Sequence, residues 1–345
     1  MIESNPKISI FLPVYNGSNY LNETLNSILS QTFDNFELMI VDDSSTDNSL
    51  EILNKFASKD SRIRVFKKEN GGTVPKAWNY ILPHMKGDFF FYTSQDDLMS
   101  DDLLEKMIKR QFDTGCDTII PDMVFYTESK DDYELIGING DRKKIIKGKE
   151  AVILSLDWSI HGFCLRSKNL FLDEFFPEES FDSDEFMTRK LFHKSNGIAF
   201  CDGKFLYRQN NSLALTKSFS KKNYYSLLTL LRLYNFLEVN RYNEFIVISK
   251  LDAVLRTYFT FTNFYNRNIG LKSKDDKNQI SEILLQIKNN LFAIDEKALY
   301  KKGTFTQIIS LKMKFCTLKS DFLTKIILSA ISLKYRYFTK LKINE

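Results

Sequence analysis

ISIFLPVYNGSNYLNETLNSILSQTFDNFELMIVDD, residues 8–43, is the stretch that decides the fold of this chain. The apolar run Ile8–Val14 predicts a strand, and Tyr20–Leu29 then places its leucines and isoleucine at helical spacing. Phe36–Val41 is a second apolar run and predicts a second strand. A strand, a loop, a helix and another strand in this order predict the first unit of a parallel sheet.

The same cycle continues along the chain. Ser49–Ala57 has helical spacing, Ile63–Phe66 predicts a third strand, and the almost wholly aromatic run Phe89–Thr93 predicts a fourth. Between the last two strands, Lys76–Met85 predicts a helix that Pro83 should end or bend. The alternation predicts an α/β fold with a mostly parallel central sheet.

The carboxyl ends of the predicted strands are rich in acids. In an open α/β sheet, ligands bind at these ends, which selects Pro13–Asn16, Asp42–Asp47 and Ser94–Asp97. A carboxylate there can accept hydrogen bonds from a base or ribose, and adjacent aspartates can hold a divalent cation on a diphosphate. The alternative is that Asp43 and Asp47 only cap the helix that follows them, as short acids after a strand often do.

A second half of the same domain is predicted after residue 100. Asp101–Phe112 has the pattern of a helix, Thr118–Phe125 that of a strand, and the polar stretch Glu128–Glu134 that of a loop or hairpin. From about Tyr224, apolar residues recur at helical spacing.

These patterns place a domain boundary near residue 217. The predicted first domain is 1–217, with one half at 1–100 that contains the strand ends expected to bind a base, ribose and diphosphate, and a second half at 101–217. Residues 218–345 then form a helical C-terminal region.

Composition narrows the class of protein and its location. The 345 residues are 43% hydrophobic and 27% charged, which is typical of a globular chain. Four separated cysteines without a CxxC pair, and only three histidines, favour neither a disulfide framework nor a zinc site. The sequence has no signal-peptide pattern and no apolar stretch of membrane-spanning length, so the expected location is the cytoplasm.

The end of the chain is basic. Residues 301–345 contain ten lysines and arginines but only two acids, Asp321 and Glu345. Within them, Phe322–Ile343 interleaves basic with apolar and aromatic residues. Such a tail is suited to peripheral attachment at the anionic inner face of the cell membrane. The alternative is a helix that packs on its own protein or on a second copy. Nucleic-acid binding is disfavoured because no nucleic-acid module accompanies the charge.

Four segments carry a resemblance to a known family: FLPVYNGSNYLNETLNSILSQTFDNFELMIVDDSSTDNS, ENGG, AWN and GDFFFYTSQDD. They resemble the start of a family 2 inverting glycosyltransferase over about the first hundred residues. The resemblance implies the GT-A nucleotide-diphospho-sugar transferase fold and not a dinucleotide-binding domain. Consistently, no GxGxxG motif follows the first strand.

The resemblance also implies donor-binding residues. Pro13, Val14 and Tyr15 would line the base pocket, with Tyr15 stacked on the base, and Asp43 would hydrogen-bond the base. UDP is the commonest donor nucleotide of the class.

A metal site is implied at the fourth strand. Asp97 would be the main protein ligand of Mn²⁺ or Mg²⁺ on the diphosphate, and Asp96 would contact the ribose or the metal. Many members have an acid two positions before the metal-binding aspartate, whereas this chain has Gln95 there. The absence of that acid weakens the prediction that the chain depends on a metal.

The segment FDSDEFMTRKLF, residues 181–192, is the predicted source of the catalytic base. It resembles the family's acid pair followed by a helix that contains an arginine, here Arg189. Asp184 is favoured as the base that deprotonates the acceptor hydroxyl, with Glu185 and Asp182 as rivals. The alternative is simple capping of the helix N-terminus.

Three residues are assigned to the acceptor side. Trp158 and His161, in DWSIHGFCLRS, lie where family members approach the acceptor, and Arg208, in YRQNNSLALTK, would meet the diphosphate. The alternatives are a core tryptophan beside a satisfied histidine, and an ion pair for the arginine.

The expected function is transfer of a sugar, with inversion, from a nucleoside-diphosphate sugar to a hydroxyl of a glycan or lipid-linked acceptor. The resemblance implies synthesis of a bacterial surface polysaccharide such as capsule or lipopolysaccharide. One alternative is a non-catalytic glycosyltransferase-like subunit that binds sugars or partners. A weaker one is a sugar-phosphate nucleotidyltransferase, which needs a glycine-rich basic loop where this chain has NGSNY. A homo-oligomer is left open.

Overall fold

A computed structural model describes most of the chain. The described residues are 7–127, 133–180, 182–211, 219–295 and 305–320, the side chains of 305–309 excepted. The chain divides into two compact units, one made of 1–178 and 187–214 and the other of 179–186 and 215–345. The predicted boundary at 217 lies outside the described residues.

The first unit begins with four parallel strands, as the alternating pattern predicts. They are β1 (Ile8–Val14), β2 (Phe36–Asp42), β3 (Ile63–Lys67) and β4 (Phe89–Tyr92), in the spatial order β3-β2-β1-β4. The helices between them are α1 (Leu21–Leu29), α2 (Ser49–Ala57) and α3 (Val74–Ile81). Because all four strands are parallel, their carboxyl ends meet at one edge of the sheet.

The rest of the unit extends this sheet with mixed strands. The added strands are β5 (Leu98–Met99), β6 (Thr118–Tyr126), β7 (Tyr133–Leu135), β8 (Ile145–Ile146), β9 (Leu165–Ser167) and β10 (Ile198–Arg208). The added helices are α4 (Leu103–Thr114), α5 (Gly148–Ser155) and α6 (Ser183–Lys194). Helix α6 has residues in both units. The order along the sheet is β3-β2-β1-β4-β9-β6-β10-β5, with β7 paired to β6 and β8 to β10. Strand β9 is antiparallel to both neighbours, whereas β6 and β10 are parallel to each other.

The core lies on both faces of the central strands, which is why β1 and β2 are mostly apolar and buried. One face packs against the buried side of α1, through Leu25 among others. On the other face, the rings of Phe11 and Trp78 meet edge to face at 4.5 Å. Helix α3 begins two residues earlier than expected, with Pro75 in its first turn, and ends at Ile81. A 3₁₀ turn containing Pro83 follows, because a proline interrupts the α-helical hydrogen bonds.

The second unit is helical in its described part. Its helices are α7 (Lys221–Val239), α8 (Glu244–Asn266), α9 (Lys274–Phe292) and α10 (Phe305–Lys319). Ser220 and Ser273 open α7 and α9 with capping boxes, which satisfy the first amides of each helix. No helix in the described ranges combines the length and apolar composition that crossing a membrane requires. The basic tail after residue 320 lies outside them.

Candidate functional site

The loop after β1 is hydrogen-bonded to the loop after β2. The Gly17 amide donates to Ser49 Oγ at 2.9 Å, and the Thr46 amide donates to Asn16 Oδ1 at 2.8 Å. Asn16 has a φ of 51°, a conformation that asparagine tolerates better than most residues. These contacts fix the backbone at the sheet edge and leave the ring of Tyr15 46% exposed. An exposed ring on a fixed loop is suited to stacking on a planar base.

Asp43 fastens the loop that follows β3. Its Oδ1 accepts from Lys68 Nζ at 2.6 Å and from the Gly71 amide at 2.7 Å, and its Oδ2 accepts from the Gly72 amide at 3.1 Å. The carboxylate does not cap α2, whose N-terminal cap is Asn48. Asp43 therefore orders the loop after β3 at this edge of the sheet, and its contact to a base remains a prediction.

Asp47 fits the capping alternative in part. Its Oδ1 accepts from the Ser49 amide at 3.0 Å, in the first turn of α2, and its Oδ2 accepts from the Ser18 amide at 3.0 Å. Although burial opposes it, these hydrogen bonds lower the pKa of Asp47 to about 2. Asp47 is thus a permanent anion that joins α2 to the loop after β1.

The acidic pair after β4 contains a buried oxygen without a hydrogen-bond donor among the described residues. Asp97 is only 1% exposed, and its Oδ1 accepts from the Arg208 amide at 2.9 Å. Its Oδ2 is buried without a hydrogen-bond donor among the residues that the structure describes. Burial, and then the charge of Asp96, raise the pKa of Asp97 to about 8. A cation bound beside this carboxylate would stabilise its charge.

These residues fit a divalent cation. The orphaned Oδ2 of Asp97 is a hard oxygen ligand, and Asp96 supplies a second carboxylate beside it. The described residues contain no cluster of three or more histidine, cysteine or acidic ligands. Two carboxylates without a closed protein cage are typical of sites where Mg²⁺ or Mn²⁺ also binds substrate phosphates and water.

Arg208 holds the acidic pair in place. Its guanidinium lies over the rings of Tyr20 and Tyr126, 4.5 and 5.2 Å from their centroids. It donates to the Asp96 carbonyl at 2.8 Å and to Glu23 at 2.6 Å, and its side chain is almost fully buried. This geometry favours the ion-pair alternative, and contact of Arg208 with a diphosphate remains a prediction.

Asn211 is a site residue that sequence reasoning missed. Its Nδ2 donates to Asp96 Oδ2 at 2.7 Å. The Asn211 amide therefore orients the carboxylate of Asp96, which is next to the buried Asp97. The only signal was its place in YRQNN, directly after β10. A contact between residues 115 positions apart leaves no local pattern in the sequence.

The two acceptor-side residues near 160 differ in exposure. Trp158 is 41% exposed and has a φ of 65°, an unusual conformation for a bulky residue that often marks a functional site. His161 is buried, donates from Nε2 to the Pro121 carbonyl at 2.9 Å, and has its pKa lowered by burial to about 4. The geometry favours the core alternative for His161 and leaves Trp158 as the predicted acceptor contact.

The predicted base lies in an acidic cluster at the start of α6, in residues that group with the second unit. Asp182 already accepts from the hydroxyls of Ser180 and Thr229, the latter at 2.7 Å. Burial, together with the charges of Glu185 and Asp182, raises the pKa of Asp184 to about 7. A carboxyl that titrates near neutral pH is suited to general-base catalysis, and this favours Asp184 over Asp182.

The comparisons with known proteins agree with this geometry. Residues 9–171 match the family model described as Glycosyl transferase family 2. Residues 9–171 are a family 2 glycosyltransferase domain. The match favours this interpretation over a nucleotidyltransferase.

Curated relatives and solved structures extend the match. Glycosyltransferase GlyG of Streptococcus pneumoniae is 29% identical over 231 residues, which cover 61% of this chain and 74% of GlyG. An uncharacterized glycosyltransferase of Rickettsia felis is 39% identical over 144 residues, but these cover 41% of this chain and only 22% of the relative. A crystal structure of S. aureus TarS 1–349 in complex with UDP superposes with a TM-score of 0.62, covering 92% of this chain and 91% of that one at 17% identity. The chain has the GT-A-type fold that the resemblance implies.

The two raised carboxyl pKa values predict how stability depends on pH. Unfolded aspartate titrates near pH ~3.9, whereas Asp97 and Asp184 hold their protons to about 8 and about 7 in the folded chain. Between the unfolded value and these folded values the folded state binds more protons, so stability falls as pH rises towards 8 and levels off above it. In EDTA, Tm should fall between pH 6 and 8, and Asp97→Asn and Asp184→Asn should each flatten the fall. The exposed-acid control Asp113→Asn should keep the wild-type slope, and a wild-type Tm that rises over this range would contradict the prediction.

Proposed function

We propose that this chain is an inverting, metal-dependent glycosyltransferase that moves a sugar from a UDP-sugar to a hydroxyl of a glycan or lipid-linked acceptor. The observation that carries the proposal is the buried, unpartnered carboxylate oxygen of Asp97, beside Asp96 and at the same sheet edge as the exposed ring of Tyr15. A base-stacking ring and a cation site on neighbouring strand ends match the two ends of a nucleoside diphosphate.

The choice of UDP is supported by the comparisons. Solved TarS structures that share the fold are described as complexes with UDP and with UDP-GlcNAc, the second at a TM-score of 0.58. A chondroitin synthase of Pasteurella multocida is 36% identical over 104 residues, which are 30% of this chain and 11% of that enzyme. The name of this synthase supports a polysaccharide as the product, and we propose a surface polysaccharide such as capsule or lipopolysaccharide.

On the donor side, the chain binds and orients the sugar nucleotide. Tyr15 stacks on the base, and Asp43 holds the glycine loop against which the nucleotide lies and accepts from the base. Asp97 and Asp96 would hold Mn²⁺ or Mg²⁺, which when bound offsets the charge that grows on the departing diphosphate. Arg208 keeps the Asp96 backbone in place through its 2.8 Å hydrogen bond.

On the acceptor side, Asp184 takes the proton from the attacking hydroxyl. The hydroxyl oxygen attacks the anomeric carbon on the face opposite the nucleoside diphosphate, so the configuration inverts and no covalent enzyme intermediate forms. Asp182 is held by two hydroxyl donors and positions the start of α6. Trp158 offers its exposed ring to a sugar of the acceptor.

A panel of sugar nucleotides tests the proposal. The purified chain is incubated with UDP-, GDP-, dTDP- and CMP-sugars in Mn²⁺ or EDTA, and the release of free nucleotide is measured. The proposal expects UDP release from one or a few UDP-sugars in Mn²⁺ only. Tight UDP-sugar binding without release, with every acceptor tried, would favour the non-catalytic alternative. Release from another nucleotide class would correct the donor.

Replacing Tyr15 by alanine should weaken UDP binding. Stacking of a base on an aromatic ring contributes about 1–3 kcal/mol, so the Kd for UDP should rise about fivefold to a hundredfold. Isothermal titration calorimetry measures this, with the exposed Tyr133→Ala as control. Equal affinities for the two variants would remove the stacking role.

The cytoplasmic location, the membrane contact of the tail and a homo-oligomer remain predictions. The tail on which the membrane contact depends begins at Phe322, beyond the described residues. A flotation assay with and without the residues after Asp321 tests that contact.

A further inference from the structure

Gln95 pairs its side-chain amide with the backbone of Tyr15 in both directions. Its Oε1 accepts from the Tyr15 amide at 2.8 Å, and its Nε2 donates to the Tyr15 carbonyl at 3.1 Å. The backbone of the exposed aromatic residue is therefore held by an amide from another loop, 80 positions away. Tyr15 itself is 46% exposed.

The main chain of Gln95 is also anchored, because Thr24 Oγ1 donates to the Gln95 carbonyl at 3.0 Å. The loop after β1 lies close to the side-chain amide: a Cβ on Gly17 would lie 2.5 Å from Gln95 Oε1, so a larger residue at position 17 would displace the amide. The two hydrogen bonds between Gln95 and Tyr15 thus form a joint between the loop after β4 and the loop after β1.

The joint connects the two ends of the proposed donor site. Gln95 directly precedes Asp96 and Asp97, while Tyr15 carries the ring assigned to the base. An aspartate at position 95 would be one methylene shorter and a glutamate would have no N–H to donate, so only the glutamine makes both bonds. The replacement of the family's acid by Gln95 therefore gives this chain a contact that the acid could not make.

We propose that Gln95 is a positioning residue that sets the backbone of Tyr15 and so presents its ring to the base of the donor. This inference rests on the proposed function. Gln95 acts through Tyr15 and not on the diphosphate. Its loss should therefore weaken nucleotide binding more than it lowers the turnover rate of the bound complex.

Two variants test the joint. Gln95→Ala removes both hydrogen bonds, and Gln95→Glu keeps the acceptor but loses the donor. Hydrogen exchange of the ligand-free chain should increase at the Tyr15 amide in Gln95→Ala, whether or not any nucleotide binds. By calorimetry, the Kd for UDP in Mn²⁺ should rise about tenfold in Gln95→Ala and less in Gln95→Glu, with kcat for donor turnover changed less than KM.

A double-mutant cycle separates positioning from general stability. In a Tyr15→Ala background, Gln95→Ala should have little further effect on UDP affinity, because the ring that it positions is gone. Gln31→Ala is the matched control: its amide bridges the main-chain oxygens of Ser27 and Ser100, so its loss should lower Tm and leave UDP affinity unchanged.

The outcomes distinguish this inference from the proposed function. If the wild-type chain binds no UDP, the UDP donor of the proposed function is wrong, and unchanged exchange of the Tyr15 amide in Gln95→Ala would separately overturn the positioning role. If wild type binds UDP and Gln95→Ala binds it equally well, the positioning role is wrong while the proposed function stands. Additive effects of Gln95→Ala and Tyr15→Ala would also overturn the role, because independent sites add.

Discussion

Asp97→Asn should lower kcat/KM for sugar transfer by about 10³-fold or more. The amide keeps the size of the carboxylate but removes the charge that would hold the cation, and with it the electrostatic stabilisation of the departing diphosphate. Initial rates at saturating Mn²⁺ measure the loss, and Asp113→Asn, an exposed acid of the same unit, should keep the wild-type rate.

The same variant should not be unfolded. A neutral side chain at this buried position avoids the cost of ionising Asp97, whose pKa burial raises to about 8. In EDTA at high pH, Asp97→Asn should therefore melt at or above the wild-type temperature, and Mn²⁺ should raise the Tm of wild type alone. Activity within about tenfold of wild type would remove the metal role of Asp97.

Asp184→Asn should lower kcat by about 10²- to 10⁴-fold while the donor KM stays near its wild-type value. A base must be ionised to take the proton, and the pKa of Asp184 is raised to about 7. In wild type at saturating Mn²⁺, kcat should thus rise with pH up to about 7 and then level off. The Asp184→Asn variant should lack this acid limb, the rise of kcat with pH up to about 7.

The two rival acids provide the controls for this assignment. Asp182→Asn should act through stability, because its carboxylate accepts from the hydroxyls of Ser180 and Thr229. Glu185→Gln should keep the acid limb of the pH profile. A larger loss of kcat in Glu185→Gln than in Asp184→Asn would transfer the role of base to Glu185.

The first half of the fold was predictable because local pattern and tertiary structure agree there. Runs such as Ile8–Val14 and Ser49–Ala57 have the bounds that periodicity gives, since each is long and apolar on the side it buries. The short strands of the second half were not predictable. Ile145–Ile146 and Leu165–Ser167 have two and three residues, and long-range pairing alone makes them strands.

The same limit applies to the site. The rule that ligands bind at the carboxyl ends of parallel strands selected the segments Pro13–Asn16, Asp42–Asp47 and Ser94–Asp97 from the sequence. The family resemblance then implied Tyr15, Asp43 and Asp97 within them. The partners of these residues could not be predicted in this way. Gln95 and Asn211 act through side-chain hydrogen bonds to residues far away in the sequence, and such contacts impose no spacing on the chain.

The metal dependence of UDP affinity is the decisive measurement for the proposed donor site. Calorimetry compares wild type in Mn²⁺, wild type in EDTA and Asp97→Asn in Mn²⁺. We expect the Kd for UDP to rise by about tenfold or more when Mn²⁺ is replaced by EDTA, and Asp97→Asn in Mn²⁺ to bind like wild type in EDTA. Equal UDP affinity in all three samples would contradict a metal-bridged diphosphate at Asp97.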